Sequence, residues 1–312
     1  MEFLKSDIIE WRELCKTNKT IPIFSRDWWL DAVAPNSWNV HLYKKENDEI
    51  IGAFVYYYKE VNGIISIEKA PVSQNNGIWM NNETFGNYYN YRKYEERVMN
   101  EAIQDIYALG LKSYSQQFHY SIKNWLPFFW EYFKCVVRYT YVIDTTCSMQ
   151  DIFKRFSQNN RNMIRKAEKI VHLSEDLTCS EFYEINKLVF ERQDLEIPYS
   201  FELFKRIDDS CIQKECRKIL AAYDENDVLH GAIYLVWDDD SVYYLFSGSD
   251  PKYRNSQAIS YLLYKGIEFA KSINRKFDFE GSVIKQVEKN IRQFGGVQMP
   301  YFKIFNEFKE EK

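Results

Sequence analysis

ENDEIIGAFVYYY, residues 46–58, returns as ENDVLHGAIYLVW at residues 225–237. Each copy opens on an Asn-Asp pair, Asn47-Asp48 and Asn226-Asp227, of the kind that turns one antiparallel strand into the next. Each then enters an apolar strand with a glycine near its start, Gly52 against Gly231, 179 positions apart. Farther on, the match resumes at a shorter spacing. Phe118-His119-Tyr120-Ser121 lies against Phe279-Glu280-Gly281-Ser282, Phe133 against Phe294 and Tyr141 against Phe302, each 161 positions apart. The chain is a duplication whose first copy carries 18 extra residues, the difference between the two spacings, near residues 71–90. Two such units joined face to face are expected to leave a cleft between them, where function is to be sought.

Outward from the repeated strands, the pattern predicts the same element order in both copies. In the first, helices over 6–15 and from a Ser25 cap to Ala34 precede strands over 38–45, 50–59 and 64–69. A helix over 91–109 ending at Gly110, a strand over 114–118, a short helix over 124–133 and a strand over 135–143 follow. In the second, helices over 151–169, 180–191 and 200–214 lead into strands over 218–223, 228–237 and 242–247. A helix over 256–271, a strand over 276–279, a helix over 284–294 and a strand over 300–305 complete it. Three antiparallel strands, helix, strand, helix, strand make an α+β layer with helices on a mixed sheet. Two domains are expected, 1–145 with the inserted loop and 146–312. The length and composition of the insertion suit a lid or a subunit contact.

At 312 residues, 46% hydrophobic and 28% charged, the chain has the composition of a globular protein with room for two cores. Its net charge of −4 gives no global pull on nucleic acid, so a DNA-binding role is not expected. The six cysteines form no CxxC pair and have no histidine at ligand spacing, so free thiols and no metal are expected. No apolar run reaches the roughly 20 residues of a membrane span, and the first 16 residues lack a signal-peptide core. A cytoplasmic location is the simplest expectation.

Several constellations could carry chemistry. Arg254-Asn255-Ser256-Gln257-Ala258 leads from a strand into a helix, so an arginine and the free N–H groups of the helix start can face one anion. An Asp250-Pro251 turn with Ser256 as a plain N-cap explains the same spacing without a ligand. Glu280 ends an apolar strand beside the pliable Gly281 and could take a proton from an incoming ammonium; pairing with a nearby cation is the alternative. His119, its partner in the first copy, is either a proton-transfer group or a hydrogen-bonded core residue. Arg161 and Arg165 stand one turn apart with Lys166 beside them, on a helix short of acids. They could hold an anionic acceptor or simply face water. Tyr199, and Arg138 beside Tyr139–Tyr141, could line a groove or belong to the core.

The element order, its duplication, and the motifs Phe118-His119-Tyr120-Ser121, Asn124-Trp125-Leu126-Pro127-Phe128, Arg138-Tyr139-Thr140-Tyr141, Arg192-Gln193, Ile197-Pro198-Tyr199-Ser200, Asp278-Phe279-Glu280-Gly281-Ser282 and Phe294-Gly295-Gly296 resemble the FemABX family of tandem GNAT-like acyltransferases, in a Bacteroidetes-type branch. The resemblance implies two GNAT-like domains and transfer of an acyl group from acetyl-CoA or another acyl-CoA, or of an aminoacyl group from aminoacyl-tRNA, to a primary amine such as that of a cell-envelope precursor. It implies that Arg254, Asn255, Ser256, Gln257 and Ala258 hold the donor phosphates, although the glycines of the GNAT loop are missing. Backbone N–H groups near Gly248 would then stabilise the oxyanion. The tyrosine that many GNAT enzymes carry after the fifth strand is absent between Val283 and Phe294. These two departures fit the competing reading, a non-catalytic GNAT-like module that recognises a sugar nucleotide or an envelope intermediate.

Overall fold

The computed structural model describes residues 5–81 and 85–308. Its packing divides the chain into two units, residues up to Arg138 together with those from Pro300 onward, and Tyr139–Met299.

In unit one, α1 (Lys5–Thr17) and α2 (Asp27–Val33) precede β1 (Trp38–Lys44), β2 (Ile50–Val61), β3 (Ile64–Glu68) and β4 (Gly77–Met80), and α3 (Tyr88–Ala108), β5 (Ser113–Gln117) and α4 (Leu126–Trp130) follow. Ser25 does not cap α2. It closes a 3-10 turn over Ile23–Ser25, and the helix begins at Asp27 after Arg26. The strands run β1-β2-β3-β5, with β3 and β5 parallel and the other neighbours antiparallel. On α3, Val98, Ala102 and Ile106 recur every four residues, and this face packs with Phe54, Tyr114 and Phe118 to form the core.

The chain leaves unit one along β6 (Lys134–Ile143). Unit two then contains α5 (Met149–Arg155), α6 (Gln158–Ala167), β7 (His172–Ser174), α7 (Cys179–Glu191), α8 (Phe201–Gln213), β8 (Arg217–Tyr223), β9 (Leu229–Trp237), β10 (Ser241–Ser249), α9 (Ala258–Ser272), β11 (Lys276–Asp278) and α10 (Lys285–Ile291). Its strands run β6-β11-β10-β9-β8-β7, with only β10 and β11 parallel. The last strand, β12 (Val297–Glu307), returns to unit one and pairs antiparallel with β5.

The repeat survives in the hydrogen-bond registers. Val40 faces Val55 on β1 and β2, and Ile219 faces Tyr234 on β8 and β9, each partner shifted by the same 179 positions. Even the register slip recurs, after Tyr43 in one hairpin and after Ala222 in the other. The 161 spacing holds as well, but with the last strands exchanged. Val142 of β6 faces Asp278 of the second copy, and Lys303 of β12 faces Gln117 of the first. The packed units therefore trade the closing strands of the two copies, and their bounds differ from a single division at residue 145.

The insertion lies within a strand of the repeat. In unit two the single strand β10 covers β9 from Trp237 to Gly231. In unit one β3 covers Tyr57–Val61 of β2, and β4, supplied by the insertion, covers Gly52–Val55. Ser73, Gln74, Asn75 and Asn76 between them are buried, so this part of the insertion is a core loop rather than a lid. Residues 82–84 of the insertion lie outside the described residues.

Candidate functional site

In unit two, β11 accompanies β10 only as far as the pair Tyr243–Asp278, while β10 continues to Ser249. Beyond that point Tyr244–Ser247 are partly exposed in a strand whose start is buried. On its other edge β10 slips register between Tyr244 and Phe246, so Leu245 is the extra residue of a bulge. A bulge interrupts the ladder and leaves backbone groups of the extra residue without their regular strand partners. Nothing in the sequence marks Leu245, because a bulge of this kind needs no particular side chain.

Gly248 has a packing role in this strand. A Cβ there would stand 2.6 Å from the carbonyl carbon of Ile185, so only glycine lets α7 come this close. Next to it, the Asn186 side-chain amide of α7 donates to the Ser247 carbonyl (2.5 Å), and its Oδ1 accepts from the Tyr199 hydroxyl (2.5 Å). The Tyr183 hydroxyl donates to the Tyr199 carbonyl (3.0 Å). Burial pushes the pKa of the Tyr199 phenol well above the usual tyrosine range, so the residue acts as a neutral hydrogen-bond donor. Tyr183 and Tyr199, with Lys187, Glu191 and Glu196, line a pocket of about 520 Å³.

At the end of β11 the chain turns sharply. Glu280 and Gly281 are both left-handed, with φ of 58° and 70°. A Cβ on Gly281 would lie 1.9 Å from the Tyr139 carbonyl oxygen, so that position admits only glycine. Asp278 ties the turn: its Oδ1 accepts the Glu280 N–H (2.7 Å) and the Thr140 hydroxyl. The carboxyl is fully buried, and its Oδ2 has no hydrogen-bond partner among the described residues. Burial pushes it up to about 7, against the downward pull of the Thr140 and Glu280 hydrogen bonds. The structure makes Asp278 the buried anchor of a turn that carries Glu280.

Beyond β10, Pro251–Ser256 form a 3-10 turn in which Asp250 Oδ1 accepts the Lys252 N–H (2.8 Å). Ser256 is not the N-cap of α9. It is buried at the end of the 3-10 turn, and the capping position is held by Gln257 at φ 64°. Ser256 Oγ accepts the Ala258 N–H at 3.4 Å. The left-handed residue that a glycine would accommodate is made here by glutamine, at some backbone cost. Arg254 and Asn255 are exposed at the mouth of this turn.

The basic helix expected over 151–169 is two helices, broken at Phe156-Ser157, with Ser157 capping α6 by accepting the Asn160 N–H. Arg161 is spent on that break. Its guanidinium donates to the carbonyls of Lys154 (3.0 Å) and Phe156 and to Gln158 Oε1 (2.5 Å), satisfying the C-terminus of α5. Arg165 lies over the Phe153 ring at 5.5 Å, and Lys166 is exposed.

His119 and Arg138 belong to unit one. The His119 ring meets Ser121 Oγ through Nδ1 (2.8 Å) and packs on Tyr120. Arg138 is half-buried on β6, and its Nε has no hydrogen-bond partner among the described residues. All six cysteines are free thiols, and among the described residues no three acidic, histidine or cysteine side chains converge as metal ligands.

Residues 154–282 match the family model described as an acetyltransferase (GNAT) domain. The matched segment contains the bulged β10, its parting from β11, the Pro251–Gln257 turn and Glu280. A crystal structure of FemX superposes with a TM-score of 0.70 at 11% identity, covering 97% of this chain and 96% of that one. Residues 154–282 are thus similar to a GNAT acetyltransferase domain, and the whole chain is similar in fold to FemX. A conserved protein of unknown function from Bacteroides thetaiotaomicron superposes at 0.60 with 10% identity, covering 99% of both chains. A tandem GNAT protein from the clavulanic acid biosynthesis pathway does so at 0.52 with 8% identity, covering 99% of this chain and 97% of that one. At these identities the likeness is one of fold: two tandem GNAT-like domains, each a mixed sheet flanked by helices. No curated protein matches the sequence.

Proposed function

We propose that the chain is an N-acyltransferase that moves an acyl or aminoacyl group to a primary amine, with its donor held by the second GNAT-like domain. The observation that carries this reading is the parting of β10 from β11 directly before the exposed Pro251–Gln257 turn, all within the segment that matches the GNAT model. The donor diphosphate of an acyl-CoA would lie on Arg254, Asn255, Ser256, Gln257 and Ala258, where a helix start and a guanidinium face the same charge. Aminoacyl-tRNA is the other donor of matching chemistry, its phosphates meeting the same groups.

With the donor carbonyl beside the open stretch of β10, backbone N–H groups between Leu245 and Gly248 would stabilise the oxyanion. The amine nitrogen attacks the carbonyl carbon, the C–S or ester C–O bond breaks, and the proton lost by the amine passes to Glu280. The leaving thiolate or alkoxide takes up a proton from solvent. Arg165 and Lys166, which have no capping duty like that of Arg161, would meet an anionic part of the acceptor. Tyr199 would form one wall. The acceptor would be an amine of a cell-envelope precursor.

Single-turnover transfer from acetyl-CoA and from a short aminoacyl-RNA mimic to a primary amine tests the reading. Glu280→Gln should slow the transfer step by about 100-fold, the usual scale of a lost general base, with donor affinity unchanged. Equal turnover would remove Glu280 from the mechanism. Saturable acceptor binding with no transfer from either donor would favour a recognition module.

A further inference from the structure

The Pro251–Gln257 turn is mostly solvent-exposed, so something must hold it against β9 and β10. Its two ends are tied by backbone and side-chain bonds: the Asp250 N–H donates to the His230 carbonyl (3.2 Å), and Ser256 is buried. In its middle, between the exposed Lys252 and Arg254, the partly buried Tyr253 stacks on the ring of His230 with centroids 4.3 Å apart and planes 6° from parallel. His230, at the start of β9, is 5% exposed.

The imidazole is itself fixed from behind. Its Nε2 meets Asp224 Oδ2 at 3.3 Å. The other oxygen of that carboxylate accepts the N–H groups of Asn226 (2.9 Å) and Val228 (3.0 Å) in the β8–β9 turn. The Val228 bond, with help from Asn226 and His230, keeps the Asp224 carboxyl below its usual range and therefore ionised. A carboxylate partner makes Nε2 the protonated nitrogen. Nδ1 is then an acceptor, and it is buried without a hydrogen-bond partner among the described residues. A buried polar ring with an unsatisfied nitrogen is a poor choice for filling space alone, since an apolar ring of that size would avoid the cost. The first copy has Ile51 at the position of His230, 179 residues earlier.

We propose that His230 is a positioning residue for the donor turn. Held by Asp224, it is the platform on which Tyr253 fixes Pro251–Gln257, and through that segment the direction of Arg254 and of the N–H groups that open α9. The consequence for donor binding rests on the function proposed above. The consequence for the turn itself does not.

The test joins amide hydrogen exchange in residues 251–257 to calorimetric titration with CoA, in wild type, His230→Ala, His230→Phe and Tyr253→Ala. Loss of one ring stack is expected to speed exchange in the turn about fivefold and to weaken CoA binding by a similar factor, with His230→Phe, which keeps the stack but loses the Asp224 tie, restoring both only in part. Should His230→Ala fail to fold, Tyr253→Ala removes the same stack from the exposed side. Unchanged exchange in the turn after loss of either ring would overturn the proposal. If wild type does not bind CoA, the donor reading falls while the exchange result still decides the role of His230. Faster exchange throughout the molecule, rather than in the turn, would reduce His230 to a general packing residue.

Discussion

Gln117 and Asp278 hold the same place in the two copies, at the end of the strand that pairs in parallel with the third strand of each repeat. Gln117 is neutral, and its amide donates to the Gln74 carbonyl of the buried insertion. Asp278 carries a carboxyl with one oxygen left without a partner, at a turn that presents Glu280. The neighbouring strands differ in the same sense. In the first copy the third strand is cut into β3 and β4 and the gap is filled by a buried loop. In the second it runs whole, bulges at Leu245, parts from β11 and leads into the Arg254 turn. One copy has this stretch filled by a buried loop and the other has it partly exposed, which is why we propose the second as the donor domain.

The sharpest way to break this contrast is at Gly281. Its left-handed φ and the nearby Tyr139 carbonyl mean that Gly281→Ala should destabilise the protein by about 3 kcal/mol or more, seen as a large drop in thermal midpoint. A midpoint within a degree or two of wild type would show that the turn can relax.

Asp278 gives the next largest effect, and its sign is definite. The folded carboxyl titrates near 7 and the unfolded one near its ordinary value of 3.8. Between those values the folded state holds a proton that the unfolded chain has lost, so stability falls as pH rises through that window and is lowest above it. Asp278→Asn should remove this slope, leaving the variant more stable than wild type by on the order of 2–4 kcal/mol above pH 7 and nearly equal at pH 4. The reverse change, Gln117→Glu, should add a slope of the same sign to the copy that lacks it. Parallel stability curves for wild type and Asp278→Asn would mean that Asp278 is not held protonated by burial.

A smaller effect is expected at Gln257. Replacing a left-handed glutamine by glycine relieves backbone strain but loosens the unfolded chain, so Gln257→Gly should gain no more than about 1 kcal/mol. A loss of that size instead would mean that the glutamine side chain holds the turn.

Much of this fold was legible. The Asn-Asp turns, Gly52 and Gly231, and the two spacings located both hairpins, and a strand pair that must bury one face admits only one alignment. The exchange of β6 and β12 was not legible. The alternation of Cys135–Ile143 is the same whichever sheet it joins, and similarity between copies does not say which partner a strand takes. The break at Ser157 was masked by the apolar spacing of Ile152, Phe156, Met163 and Ala167, although Ser157 stands three residues before Asn160 at a cap and Asn159, Asn160 and Asn162 are poor helix formers. That miss mattered for the site, because it turned Arg161 from a ligand candidate into a helix cap. Glu280 and Arg254 could be singled out as candidates because their residue types stand out at element ends. Leu245, Asn186 and Asp278 were missed because a bulge, a buried amide and a buried acid have no signature without the packing around them.

The central claim is that the open second copy holds the acyl donor. Calorimetric titration of CoA and acetyl-CoA into wild type and Arg254→Ala tests it most directly. The account predicts one saturable site per chain in wild type, weakened about tenfold by the loss of a charged phosphate contact in the variant. Binding of equal strength in both proteins, or none in either, would contradict it.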